Sequence, residues 1–241
     1  MIRLLASTFA LSVMMIAILH TPLKADLDAD QRDQMRQMIE QFIKDNPELL
    51  RDALVSLAAR EEAERMQAGI MAVRDDAGDP VLGNPDGTII LYEFSDYNCG
   101  YCKRMFATVQ QMLAKNSDVR MVIKEFPILS QTSVIAAKAG IAAQKQGKFE
   151  LFHTEMMTYR GQVSNDAIMA AARKAGVDLN QFQQDIDSPE TTAIIGRTRR
   201  AAAALNINGT PGLVIGNNVV PGAIGIEELQ KLIDQERSKQ G

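Results

Sequence analysis

IILYEFSDYNCGYC, residues 89–102, contains both cysteines of the 241-residue chain, Cys99 and Cys102. Ile89 to Phe94 read as a buried strand, and a helix is expected to open at Cys99 and run to about Lys115. A bridge across so short a loop constrains the unfolded chain little, so a structural staple is poorly motivated. A dithiol that opens and closes is better motivated. At a helix start, backbone N–H groups and the helix dipole stabilise a thiolate. Cys99 is then the attacking sulfur, and Cys102, one turn on, can resolve a mixed disulfide.

Metal binding is the competing reading. Zinc usually takes four ligands, and beyond the two cysteines the chain has only His20 and His153. His153 lies among Phe149 and Phe152 and reads as a packed or surface residue. Cu(I) could use two thiolates and methionine sulfur, but most of the 13 methionines fall in apolar stripes that read as core.

Outward from the cysteines, Val119–Phe126 (VRMVIKEF) is a second strand, stopped by Pro127. Helical patterns follow at Ala136–Gln146, Phe149–Tyr159, Asp166–Ala175 and Glu190–Leu205. Leu213–Ile215, a Gly216-Asn217-Asn218 turn and Val219-Val220 read as a hairpin, and Ile226–Arg237 as a closing helix. The order predicts an α/β fold, a small mixed sheet covered by helices, with a helical insertion between its halves. Gly209-Thr210-Pro211 stands at the entry to the hairpin. It is either an ordinary turn or a cis X–Pro bond presenting Thr210 to an extended substrate beside the sulfurs. Glu93, six residues before Cys99, either points outward from an edge strand or lies beneath the dithiol and exchanges protons with Cys102.

Toward the N-terminus, residues 4–19 (LLASTFALSVMMIAIL) carry no charge, Arg3 precedes them and Ala25 offers a small residue at a cut. Residues 1–25 therefore read as a secretory signal peptide. Residues 26–75 read as a helical arm. Met35, Met38, Ile39, Phe42 and Ile43 form one stripe, Asn46-Pro47 a break, and Leu50, Leu54 and Leu57 a second stripe. Its apolar faces are covered either by folding back on the main domain or by other copies of the chain. Residues 76–88 read as a linker with a short strand at Val81-Leu82, residues 89–132 as the first half of the sheet domain, 133–188 as the insert and 189–241 as the second half. Asp75–Pro80 is the expected hinge. With 26 Lys+Arg against 30 Asp+Glu and a net charge of −4, no nucleic-acid partner is expected.

Residues 93–102, Lys124–Leu129 (KEFPIL) and Gly209-Thr210-Pro211 together resemble the DsbA-like thioredoxin-fold proteins. Within that group the chain is similar to the suppressor-of-copper-sensitivity protein C (ScsC) type. The resemblance implies Cys99 as nucleophile, Cys102 as resolving thiol, Glu93 as buried acid and Thr210-Pro211 as the cis-proline pair, with Gly100 and Tyr101 also meeting substrate. No cofactor and no metal are expected, and the resemblance favours an oligomerisation arm, of the trimeric kind, over one folded back. Gly100-Tyr101 in place of Pro-His, and Thr before the proline, resemble the isomerase DsbC and imply a less oxidising dithiol than in DsbA. The expected activity is isomerisation of wrong disulfides in exported proteins, in the periplasm, with a membrane thiol reductase as redox partner. A dithiol oxidase, a periplasmic copper-transfer protein and a chaperone are the alternatives.

Overall fold

The computed structural model describes residues 27–240, so the expected signal peptide lies outside the described residues. Two compact units divide between Ala59 and Arg60. In the first, helix α1 (Ala29–Asp45) begins at a reciprocal cap. Asp28 Oδ1 accepts from the N–H of Gln31 at 2.8 Å, and the Gln31 amide oxygen accepts from the Asp28 N–H at 3.1 Å. The helix ends at Asn46, and Pro47 starts α2 (Pro47–Arg74), where its missing N–H costs nothing. No residue of α1 is buried. Met38, Ile39, Phe42, Leu50, Leu54 and Leu57 are each more than half exposed.

The second unit carries a five-stranded sheet of order β1-β3-β2-β4-β5. Its strands are β1 (Val81–Gly83), β2 (Ile89–Ser95), β3 (Val119–Glu125), β4 (Gly212–Ile215) and β5 (Asn218–Pro221). The β2–β3 pair is parallel and the other three pairs are antiparallel. Helix α3 (Gly100–Lys115) joins β2 to β3. The insert comprises α4 (Gln131–Lys145), α5 (Phe149–Thr158), α6 (Asn165–Ala175) and α7 (Leu179–Ile186), after which α8 (Pro189–Ala204) returns to the sheet and α9 (Ile226–Ser238) closes the chain.

Both sheet faces are covered, which is why β2 and β3 read as nearly continuous apolar runs. Ile89, Leu91, Met121, Ile123 and Leu213 pack with Met105 and Val109 of α3 and Leu229 and Ile233 of α9. Tyr92, Phe94, Val122 and Val214 pack with Ile70 and Val73 at the end of α2 and Ala201 and Leu205 at the end of α8. A third cluster joins Tyr97, Cys99 and Cys102 to Ala139, Phe152, Met156 and Phe182 of the insert, so the insert is built directly onto the dithiol loop.

Three expectations change. The arm does not run to residue 75: residues 60–74 belong to the second unit, where Gly69, Ile70 and Val73 are buried. Asp75–Pro80 is not free to act as a hinge either, because ion pairs pin it to β3. Lys124 Nζ lies 2.7 Å from Asp79 Oδ2 and donates to the Asp75 carbonyl at 3.0 Å, while Arg120 Nη1 lies 2.7 Å from Asp76 Oδ2. Helix α7 was not anticipated, since over eight residues it presents only Leu179, Phe182 and Ile186 to the insert core. Among the described residues no helix is long and apolar enough to cross a membrane.

The Lys124–Asp79 pair is 1% and 0% exposed. Removing one partner strands the other charge in the interior, which typically costs about 3–5 kcal/mol. Asp79→Ala is therefore expected to lower unfolding stability in urea by roughly 3 kcal/mol. Asp33→Ala, in an exposed pair on α1, is expected to change it by less than about 0.5 kcal/mol. Similar small losses in both variants would contradict this account.

Candidate active site

The dithiol sits where β2 hands over to α3. Cys99 is the N-cap of α3, extended at φ −79°, ψ 114°, and its Sγ accepts from the N–H of Cys102 at 3.4 Å. Both cysteines are free thiols, Cys99 6% exposed and Cys102 fully buried. The Cys99 thiol is pulled down to about 5 by hydrogen bonding from Cys102, aided by Thr210 and by the N–H groups of Cys102 and Tyr101 against the opposing effect of burial. Cys102 moves the other way: its bond to Cys99, burial and the nearby Glu93 carboxylate all hold its proton on. One thiol is thus ready to attack and its neighbour is held in reserve.

The backbone ahead of Cys99 is fixed by Asp96, whose buried carboxylate has every oxygen in use. Oδ1 accepts from the Asn98 N–H at 2.8 Å and the Ser133 hydroxyl at 2.7 Å. Oδ2 accepts from the N–H groups of Ile128 and Leu129 at 3.0 and 3.1 Å. One side chain therefore ties together the dithiol turn, the loop after β3 and the start of α4.

Glu93 lies on β2, the middle strand of the sheet, and is 4% exposed, which excludes an outward-pointing edge residue. Strand alternation places it on the α3-covered face with Ile89 and Leu91. Burial, and to a lesser degree the Cys99 charge, push its carboxyl up to about 7. It can therefore accept or release a proton near neutrality. The Thr210–Pro211 bond is cis, and the Thr210 carbonyl oxygen is 3.2 Å from Cys99 Sγ. Gly100 and Tyr101 lie on the first turn of α3, with the Tyr101 ring 61% exposed. All the residues expected at the site thus fall around the two sulfurs, on α3, β2 and the loop before β4.

Sequence reasoning missed a polar cluster behind them. Glu125, two positions past Ile123 on β3, faces the same side as Glu93, and neither of its carboxyl oxygens has a hydrogen-bond partner. Burial holds its carboxyl well above the usual range. Tyr97 Oη pairs with His153 Nδ1 at 3.0 Å, and burial pulls the imidazole down to about 3. Gly140 of α4 makes room: a Cβ there would sit 2.6 Å from Glu125 Oε1 and 2.9 Å from Tyr97 Oη. The only available signal was Glu125 in a strand, which reads equally well as an exposed edge residue. Among the described residues no group of three or more His, Cys, Asp or Glu is placed to hold a metal ion.

A family model described as thioredoxin matches residues 75–235. A thioredoxin-like oxidoreductase from Silicibacter pomeroyi DSS-3 superposes with a TM-score of 0.66 and 40% identity, over 69% of this chain and 96% of that one. A linker-deletion mutant of Proteus mirabilis ScsC superposes with a TM-score of 0.67 and 26% identity, over 90% of this chain and 99% of that one. A probable disulfide bond formation protein D from Bacillus cereus is 25% identical over 173 residues, 66% of this chain and 78% of that protein. The chain also matches sodium/proton antiporters, among them one from Mycolicibacterium gilvum at 29% identity, and spans 24% of that protein's length. The chain belongs to the thioredoxin family. Within it, the chain has the fold of the DsbA-like oxidoreductases and is similar to ScsC.

The position of Glu93 generates a kinetic prediction. When Cys102 attacks a mixed disulfide on Cys99, its proton would need a buried acceptor, and an ionised Glu93 is the group tested for that role. Release of a small thiol from Cys99 is expected to speed up as pH rises through about 7. In Glu93→Gln that rise should vanish and the step should slow by about 100-fold, as followed by stopped-flow. An unchanged pH profile would remove Glu93 from the proton path.

Proposed function

We propose that the protein is an exported thiol–disulfide oxidoreductase acting on wrongly paired disulfides. The observation that carries this reading is the placement of Cys99 as the N-cap of α3, its Sγ 3.2 Å from the carbonyl of the cis Thr210–Pro211 pair, with Cys102 buried one turn on. Cys99 thiolate attacks a substrate disulfide, one substrate sulfur leaves as thiolate, and a mixed disulfide forms beside Thr210. A substrate thiol then displaces Cys99, completing isomerisation with no net redox change. Alternatively Cys102 gives its proton to Glu93 and displaces the substrate, leaving the enzyme oxidised. An isomerase needs its dithiol kept reduced, so a membrane thiol reductase is the partner this reading requires. Export, to the periplasm, fits the signal-like residues 1–25.

The arm supplies the oligomer. Apolar side chains as exposed as Met38 (71%) and Phe42 (56%) call for a covering surface, and copies of the same helix can provide one. A trimer through residues 26–59 would bring several dithiols to one misfolded chain and raise their effective concentration.

The depressed Cys99 favours one other reading, a dithiol oxidase, because a stabilised thiolate makes the reduced form a better product. Ribonuclease refolding separates the two. With scrambled ribonuclease under a mild thiol buffer the protein should restore activity, and an Ile39→Glu/Phe42→Glu variant should lose most of that activity while sedimenting as a monomer. Activity confined to reduced ribonuclease, unaffected by the arm substitutions, would make it an oxidase.

A further inference from the structure

The dipeptide between the cysteines carries no charge, yet a cation stands over it. Arg104, one turn into α3, stacks its guanidinium carbon 4.1 Å from the centroid of the exposed Tyr101 ring. A Cβ on Gly100 would meet its Nη1 at 3.7 Å. The guanidinium therefore occupies the space beside the residue that follows Cys99. Stacking leaves its edge, with the N–H donors, free for a ligand.

Lys103 stands next to Arg104 on the same turn of α3. Lys103 Nζ donates to the Tyr159 carbonyl at 2.9 Å and lies 5.6 Å from the Tyr159 ring. Burial, and then the charge of Arg160, pull Lys103 down. Among the described residues none of the three cations is in an ion pair. Asp96, the carboxylate bonded into this turn, is buried and saturated by its four hydrogen bonds. The apolar part of the rim comes from Ile128 and Leu129, 42% and 52% exposed, on the loop that Asp96 ties to the dithiol turn. In a chain whose net charge is −4, an unpaired Arg104 stacked on Tyr101, with Lys103 next to it on α3, runs against the overall balance.

We propose that this rim selects disulfides flanked by acidic residues in an unfolded chain, and that Arg104 is the specificity-determining residue, reading a carboxylate next to the substrate cysteine. The proposal rests on the oxidoreductase reading above and names its substrate class. In the reaction, Cys99 thiolate bonds to one substrate sulfur and the other leaves as thiolate. Cys102 thiolate then bonds to Cys99 and expels the first sulfur. The enzyme dithiol loses two electrons and the substrate disulfide gains them. With Arg104 beside the residue that follows Cys99, a carboxylate flanking the bound substrate sulfur lowers the cost of approach and a flanking ammonium raises it.

The cations could instead serve only to stabilise the Cys99 thiolate. That would change the reactivity toward all disulfides by one common factor, so a ratio between substrates separates the two roles. The test uses the reduced full-length protein and the symmetric disulfides of three capped tetrapeptides, with Glu, Gln or Lys beside the cysteine. Oxidised glutathione is a fourth substrate. Each rate is divided by that of the same disulfide with dithiothreitol, to remove intrinsic differences. The Glu peptide is expected to react about tenfold faster than the Lys peptide at low ionic strength. The ratio should fall toward one as salt shortens the Debye length to roughly 3 Å at 1 M. Arg104→Gln should cut the low-salt ratio by at least about threefold, Arg104→Glu should reverse the preference, and Arg104→Lys should keep part of it.

A Glu-to-Lys ratio of one in the unmodified protein, or a ratio that none of the Arg104 variants moves, would overturn the proposal. A preference for oxidised glutathione with none for the Glu peptide would also overturn it, by pointing to a small-molecule disulfide. Absence of reaction with the neutral Gln peptide would instead sink the oxidoreductase reading, and this inference with it.

Discussion

Everything at this site follows from placing one sulfur at the end of a helix and another inside it. Cys99 Sγ, as N-cap of α3, takes the N–H of Cys102 that would otherwise have no intrahelical partner. A negative charge is welcome there for the same reason that a carboxylate or phosphate is. Three residues on, the same helix buries Cys102 completely, where a charge is unwelcome. The difference in reactivity between two chemically identical thiols is therefore a consequence of helix geometry. The rest of the structure holds that geometry still and gives the displaced proton somewhere to go.

The holding is done by groups far apart in the sequence. Asp96 joins residues 98, 128, 129 and 133 through one carboxylate. Tyr97, its neighbour, reaches the other way to His153 in the insert. Gly140 gives up its side chain so that Glu125 and Tyr97 can lie against α4, although glycine within a helix costs about 1 kcal/mol relative to alanine. The inserted helices are thus part of the active-site wall rather than an appendage. On the opposite sheet face Lys124 and Asp79 fasten the segment after α2, so the last turns of that helix are built into the catalytic unit.

Much of this was legible in the sequence because short-range signals carry it. The β2 and β3 apolar runs, the CxxC at a helix start, the glycine-flanked hairpin and the Thr210-Pro211 motif each specify local structure within about ten residues. What escaped depends on which residues meet across the fold. Nothing near Asp79 in sequence says that Lys124 will neutralise it, so a Gly- and Pro-containing segment read as a hinge. Charged residues at 124 and 125 gave no sign that one would be buried on each face of the same strand. Likewise the cation beside Gly100 and Tyr101 comes from Arg104, outside the dipeptide where a charge would ordinarily be sought.

The central claim is that Cys99 is a thiolate at neutral pH while Cys102 is not. The most direct measurement is a titration of the reduced protein by thiolate ultraviolet absorbance, repeated in Cys102→Ser and Cys99→Ser variants. The account predicts a transition near pH 5 in the native protein that disappears with Cys99. Loss of the Cys102 thiol should move that transition upward, because its hydrogen bond is the largest stabiliser of the charge. A single transition in the ordinary thiol range, the same in the native protein and both variants, would contradict it.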